Sequence, residues 1–450
     1  MNFKSVLSLF AFLLLGFIQL VSAAKSGTYN AGWKVTNAWT NTDSVFQRET
    51  GISRWRVNDG GLFYTYEIQI DVVEVQGVIG GTYVFYDSTG DSYNLMVFRE
   101  GIHSVSYNSA DPYILEVKIV EGYSRFPLGS WLTRELDQSE KKEYIDAIWC
   151  LRHLPSHLPS KEYPGARDRW DDFVVSHINY TNVIHFNGIF LPWHRQYLHL
   201  WETTLRKECG YKGTVPYWNW ALDANDLFSS PVFDGTPDSL SGNGVWDPYQ
   251  PRPCSATGSC FARGSGGGCV QTGPFKDFKV HMGPFDNSLA QSYAPIPPNA
   301  FDYNPRCLSR SLNPYFISLN NNQAVVDKML AADTFTDFQT IMAPSDPNLP
   351  TAHGSGHGTV GGAMADFFAS PQDPSFMLHH AMVDRMWALW QDRDPVNRRY
   401  ALNGTTIIYD PPGAPLATLD SPLEFGVLAA SVRLGEAMDP MAYEHCYVYT

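Results

Sequence analysis

Two rhythms of hydrophobic and polar positions divide the chain. Over residues 25–124 the alternation has period two. Tyr64 to Ile70 alternates as a half-buried strand does, and Gly80-Gly81 leads into Thr82–Tyr86. Asp87–Gly90 is a turn signal, and Tyr93–Phe98 and Tyr113–Val120 read as further strands. Short strands with frequent turns predict a small antiparallel β-sandwich. From about Phe126 the period lengthens. Tyr144, Ile145, Ala147, Ile148 and Leu151 recur at helical spacing after an acidic start, which predicts a helix over Leu136–His153. Trp193–Arg206 predicts a second helix, and Pro371–Gln391 contains a third that begins near Pro374. Residues 228–275 are rich in Gly, Pro and Ser and hold three cysteines, so this long loop needs a staple or a function.

Met1–Ala23 has the order of a secretory signal: Lys4, an apolar run from Val6 to Val21, and the small residues Ser22 and Ala23. No later stretch reaches the ~18 apolar residues that span a bilayer. The expectation is a soluble, secreted protein in three parts: a signal at 1–23, a β-rich domain at 24–125 and a larger domain at 126–450. Composition fits folded domains, with 44% hydrophobic and 17% charged residues. A net charge of -14 without basic runs argues against nucleic acid or anionic lipid as partner. Export makes disulfides expected among the seven cysteines, and the odd count leaves at least one without an intrachain partner. Sequons at Asn179 and Asn403 are candidate glycan sites on that route.

The thirteen histidines carry the chemistry. His177, His185 and His194 form one group, with His194 near the start of the second helix. His353 and His357 lie four apart and share a helix face, and His380 stands in the third helix with Asp384 one turn on. Three imidazoles suit copper or zinc with an open coordination position, and two such sets suggest a dinuclear site. Six histidines without a carboxylate favour copper. His379 precedes His380 and points about 100° away, toward second-layer or structural duty. His103, His153, His157, His199, His281 and His445 lack a partner at ligand spacing, and Pro155 separates His153 from His157.

These residues resemble a known family. His185, Phe190, Leu191, Trp193, His194, Arg195, Leu198 and Glu202 look like the copper A signature of tyrosinases and related type-3 copper proteins. Asp373, Pro374, Phe376, Met377, His380 and Asp384 look like their copper B signature. Detail such as Pro216–Trp220, Ser230–Gly235, Gly266–Val270 and the end from Met438 resembles short fungal secreted catechol oxidases and o-aminophenol oxidases. The resemblance covers about 126–450 and leaves 25–124 unexplained. It implies a four-helix bundle holding two copper ions, with His177, His185 and His194 on copper A and His353, His357 and His380 on copper B. It implies oxidation of an o-diphenol or o-aminophenol to the quinone or quinone imine, with oxygen reduced to water.

Further expectations concern the neighbourhood. Asp384 is a candidate to orient a ligand imidazole, and Arg195 and Arg385 to pair with acids such as Glu202 and Asp384. Phe190, Trp193 and Phe376 read as packing around the site. Relatives with strong monophenol activity often have Asn after the first copper B histidine, together with an upstream Glu. Here Gly354 follows His353, Gly358 follows His357, and residues 341–352 hold only Asp346 as an acid. That favours diphenols and o-aminophenols, and the glycines suggest room for bulkier phenols. The alternatives are a tyrosinase with full monophenolase activity, a haemocyanin-like oxygen carrier, or a non-enzymatic binding protein. Val183 stands where some relatives carry a cysteine bonded to the second copper A histidine. Relatives often also have a cysteine just before Trp131, and its absence leaves open what pairs with Cys446. The 24–125 segment is a candidate lid, folding aid or binding module.

Overall fold

The computed structural model describes residues 136–253, 260–285, 296–346 and 351–441, then His445, Tyr447 and Tyr449, and the backbone of strands between Lys34 and Val120. The signal at 1–23 and the partner of Cys446 lie outside the described residues. The chain divides into two units, Met1–Gly129 with Pro440–Val448, and Ser130–Asp439 with Tyr449–Thr450.

In the first unit nine strands pair into one sheet. Thr65–Gln69, Gly81–Tyr86, Ser92–Val97 and Ile114–Val120 fall where the alternation placed them. The sheet is mixed rather than antiparallel, because Arg54–Asn58 runs parallel to Gly101–Ser106 and Val73–Gln76 parallel to Ile114–Val120. Alternation reports which face a residue takes, and says nothing of a partner strand's direction.

The second unit is helical. Helix α1, Gln138–His153, opens with a reciprocal cap: the Asp137 carboxylate accepts from Glu140 N, and the Glu140 carboxylate accepts from Asp137 N. Helix α2, Arg169–Tyr180, is capped by Asp168. Helix α3, Phe190–Cys209, starts three residues before the predicted Trp193. Pro192 sits inside its first turn, where a missing N–H costs nothing. The sequence did not predict α2, nor three shorter helices: α4 at Pro314–Asn320, α5 at Gln323–Leu330 and α6 at Phe335–Met342. None of the three shorter ones exceeds eight residues, too few for a helical period to show. Helices α7, Ala352–Val360, and α8, Ser375–Asp392, follow, and single helical turns lie at Trp220–Asp223 and Pro395–Arg398. His153 ends α1 at the predicted boundary, because the helix runs up to Leu154-Pro155. Among the described residues no helix is long and apolar enough to cross a membrane.

The core between α2 and α3 is aromatic. Trp201 meets Trp170 and Phe173 edge-on at 4.9 and 5.1 Å between ring centroids. Cys150 and Cys209 form a disulfide that joins the ends of α1 and α3. A second, Cys269–Cys307, staples the strand Gly267–Val270 inside the long loop, which answers the need seen in the sequence. Cys260 is also disulfide-bonded. The start of α8 is fixed by a fully buried ion pair. Asp373 accepts from Arg310 Nε and Nη2, both at 2.8 Å, and from Ser375 N and Oγ. The remaining guanidinium nitrogen donates to the carbonyls of Leu240 and Ser241. Replacing Arg310 by Met strands the buried Asp373 carboxylate, so Arg310→Met should cost about 3–5 kcal/mol of stability, read from urea unfolding.

Candidate metal centre

Four helices and one loop bring the two histidine triads together. His177 lies on α2, His194 on α3, His353 and His357 on α7, and His380 on α8, while His185 lies on the loop between α2 and α3. All are buried except His357, which is partly so. In most of them one ring nitrogen is held by a backbone carbonyl. His177 Nδ1 lies 2.7 Å from Phe368 O, His185 Nδ1 2.9 Å from Thr181 O, His194 Nδ1 2.8 Å from Phe190 O, and His357 Nδ1 2.8 Å from Met364 O. A carbonyl only accepts, so each Nδ1 carries the proton and each Nε2 presents a lone pair. His177 Nε2 and His194 Nε2 are buried without a hydrogen-bond partner. His357 Nε2 lies 3.0 Å from His353 Nε2 and 3.3 Å from His380 Nε2. Buried lone pairs converging in this way are the arrangement a cation satisfies. The triads adjoin, with the rings of His194 and His380 stacked at 4.3 Å.

Side chains that could hold a metal ion gather in three groups among the described residues. They are His177, His185 and His194; His353, His357, His379 and His380; and Asp168, Asp171 and His281. The second has one histidine too many for a triad, and tautomerism distinguishes it. The Trp220 indole N–H donates to His379 Nδ1 at 3.1 Å. An indole nitrogen only donates, so Nδ1 of a neutral His379 is the acceptor and its Nε2 bears the proton. His379 therefore has no lone pair to offer and acts as structure, its ring stacked on His353 at 5.5 Å. Gly356 makes room for this contact, since a Cβ there would lie 2.1 Å from His379 Cε1. The third group was missed in the sequence because it joins residues far apart in the chain. His281 Nδ1 lies 2.6 Å from Asp171 Oδ2, and Arg152 Nη1 lies 2.7 Å from Asp168 Oδ2. An arginine already balances these carboxylates, so an internal ion cluster accounts for it.

Around the triads the predicted packing residues are in place. Phe376 stacks on His380 at 4.1 Å, Phe190 lies 4.6 Å from His353, and Trp193 lies 4.9 Å from His194. Asp384 meets one of its two expectations, the pairing with Arg195, and not the orienting of a ligand imidazole. It accepts from Arg195 Nε and from the Tyr449 hydroxyl, both at 2.6 Å, while His380 Nδ1 has no hydrogen-bond partner. Its task is to hold Arg195, which also donates to Met438 O and lies 3.8 Å over Trp387. Glu202 pairs with Arg206 and accepts from Val215 N, and Arg385 lies over Tyr217. The two glycines diverge. Gly354 is exposed, and a Cβ there would meet only Thr351 Oγ1, at 3.0 Å. A Cβ at Gly358 would meet the Phe316 ring at 3.0 Å, so Gly358 provides close packing and no free space. Phe367, unnoticed in the sequence, places its ring 4.8 Å from that of His185. Asn179 is half-buried on α2 and Asn403 is exposed.

The family described as the common central domain of tyrosinase matches residues 167–393, which hold both triads. The chain belongs to the tyrosinase family. It is 52% identical over 329 residues to N-acetyl-6-hydroxytryptophan oxidase ivoB of Emericella nidulans, covering 70% of this chain and 90% of that one. To Tyrosinase P of Aspergillus terreus it is 48% identical over 323 residues, with the same coverage. Among solved structures it is similar to a point mutant of a polyphenol oxidase from Thermothelomyces thermophila. That likeness has 36% identity and a TM-score of 0.66, over 72% of this chain and 89% of the other. This tyrosinase-family chain is thus a copper-dependent, polyphenol-oxidase-like oxidoreductase. The family's dinuclear type-3 copper site fits an all-imidazole donor set with its Nε2 lone pairs aimed inward.

In the metal-free tyrosinase-family protein these imidazoles resist protonation. Burial first, then neighbouring imidazoles, holds His177, His194, His353 and His380 well below the ordinary 6.5. Burial likewise lowers His185 to about 3 and His357 to about 4. A lowered folded pKa means the unfolded chain takes up protons more readily. The contribution to stability is therefore intact above about pH 6.5 and is lost as pH falls toward these values. Between about pH 8 and about pH 5, His185 and His357 should each withdraw about 2 kcal/mol from the metal-free protein. The urea midpoint at the two pH values measures it, and an unchanged midpoint would contradict it.

Proposed function

We propose that this chain oxidises an o-diphenol or o-aminophenol to the quinone or quinone imine, holding copper through His177, His185 and His194 and through His353, His357 and His380. The observation that carries this reading is the set of carbonyl-anchored Nδ1–H groups, which turn the Nε2 lone pairs toward one place. When bound, the copper pair supplies the two-electron oxidation of the diol and the reduction of oxygen. The protein's own part is to hold neutral imidazoles still, to exclude water with Phe190, Phe376 and Phe367, and to leave the edge beside Gly354 open. Each oxygen molecule consumed converts two diphenols to two quinones and releases two waters.

The preference for diphenols rests on what surrounds His353. Gly354 brings no polar group to it, and Asp346, the acid within 341–352, is exposed. Taking the proton from a monophenol needs a base held in hydrogen-bond reach. The name of the Emericella nidulans relative favours a second reading, in which the substrate is a hydroxyindole with a single ring hydroxyl. Around this centre we place a secretory signal at 1–23, a sandwich-like β domain at 24–125 and the copper domain at 126–450, with glycans at Asn179 and Asn403. A purified sample should carry two coppers per chain by elemental analysis, and zinc in their place would end the copper reading. Oxygen uptake should be fast with catechol and o-aminophenol and slow, after a lag, with tyrosol. Lag-free uptake with tyrosol at the catechol rate would overturn the diphenol preference, and the same rate with a 6-hydroxyindole would select the second reading.

A further inference from the structure

His185 is the one imidazole of the two triads carried by a loop, so the loop itself must be held. Thr181 O anchors its ring, but Thr181 belongs to the preceding turn. The residues just after His185 are gripped by a segment more than two hundred residues later in the chain. Tyr409 N donates to Phe186 O at 3.0 Å, and Gly188 N donates to Thr405 O at 3.0 Å. The backbones meet so closely that a Cβ at Gly404, where φ is +110°, would lie 2.6 Å from Gly188 N. A Cβ at Gly188 would in turn lie 3.0 Å from Asn403 O.

Side chains repeat the grip. The rings of Phe367, Phe186 and Tyr409 form a row, stacked at 5.8 and 5.2 Å, whose inner end lies 4.8 Å from the His185 ring. Asp410 Oδ1 braces the segment by accepting from both Thr405 N and Thr405 Oγ1. The backbone is strained on both sides of the contact. Phe186, Tyr409 and Asp410 have φ of 54°, 67° and 47°. Bulky residues adopt that left-handed region rarely, and keep it only where surrounding contacts over-determine it.

We propose that residues 403–410 form a clamp that sets the position of His185, which makes Gly404, Thr405 and Tyr409 positioning residues for one of the two coppers. The clamp's role rests on the reading of His185 as a ligand. With the clamp loosened, Phe186 relaxes to an ordinary backbone conformation and carries His185 away from His177 and His194. His353 and His357 on α7 and His380 on α8 do not depend on this loop.

The test measures copper release from the full-length, copper-loaded protein into a chelator such as EDTA, with copper per chain counted over time. Wild type should release both coppers slowly. Tyr409→Ala and Gly404→Ala should lose one copper at least about tenfold faster and keep the other at the wild-type rate. Tyr409→Phe keeps the ring and the backbone donor and should restore slow release. In the metal-free protein, amide exchange at Gly188 should quicken in Tyr409→Ala. If Gly404→Ala does not fold, Tyr409→Ala, which only removes atoms, decides the matter. Unchanged release in Tyr409→Ala would overturn the clamp. So would loss of both coppers together with a lower melting temperature, which is general destabilisation. A wild-type protein without copper would instead overturn the ligand reading, and the clamp with it.

Discussion

A buried imidazole is best fixed for a metal when its other nitrogen is held by an acceptor. That constraint organises the helical unit. Carbonyls of Phe368, Thr181, Phe190 and Met364 take the Nδ1 protons of four histidines. Three of these carbonyls come from outside regular α-helix, where backbone oxygens are free to accept. The irregular stretches flanking α2, α7 and α8 are thus as much a part of the centre as the helices. Helices bring the rings near one another, and the loops decide which nitrogen faces inward.

Buried polarity elsewhere serves the same end at one remove. Arg195, Asp384, Tyr449 and Met438 O form a closed network that ties α3 to α8, the helices bearing His194 and His380. Arg310 and Asp373 fix where α8 begins. Neither network touches the facing lone pairs. Each converts a rotation of a helix, which would separate imidazoles by ångströms, into the breaking of a buried ion pair. Trp220 adds a subtler control, because donating to His379 leaves that ring without the lone pair that would make it a competing ligand.

Much of the centre was legible in the chain itself. Spacings of four report a shared helix face, so His353 with His357 emerged directly, and apolar periodicity marked α1, α3 and α8. Phe190, Trp193 and Phe376 could be read as packing because each stands within about one turn of a ligand. The hidden part was carried by backbone or by distance. No side chain announces that Met364 O accepts a proton, nor that Tyr409 reaches Phe186. The pairing of Arg195 with Asp384 was among the sequence expectations, whereas the orienting of a ligand imidazole by Asp384 rested on its nearness to His380 along the chain and is not what its carboxylate does. Gly358 looked like open space until Phe316 filled it. His281 had no sequence neighbour at ligand spacing, and its carboxylate partners lie more than a hundred residues earlier.

The Cys150–Cys209 disulfide also has a bearing on the denatured chain. Its ring encloses His177, His185 and His194, whereas the other triad lies wholly outside it. Unfolding under oxidising conditions therefore leaves His353, His357 and His380 joined by open chain alone, and the first three inside a covalent loop. Copper bound there by the unfolded chain subtracts from the stability that copper confers on the native one. The two triads therefore leave the native state under different covalent constraints, one inside a closed ring and one on open chain.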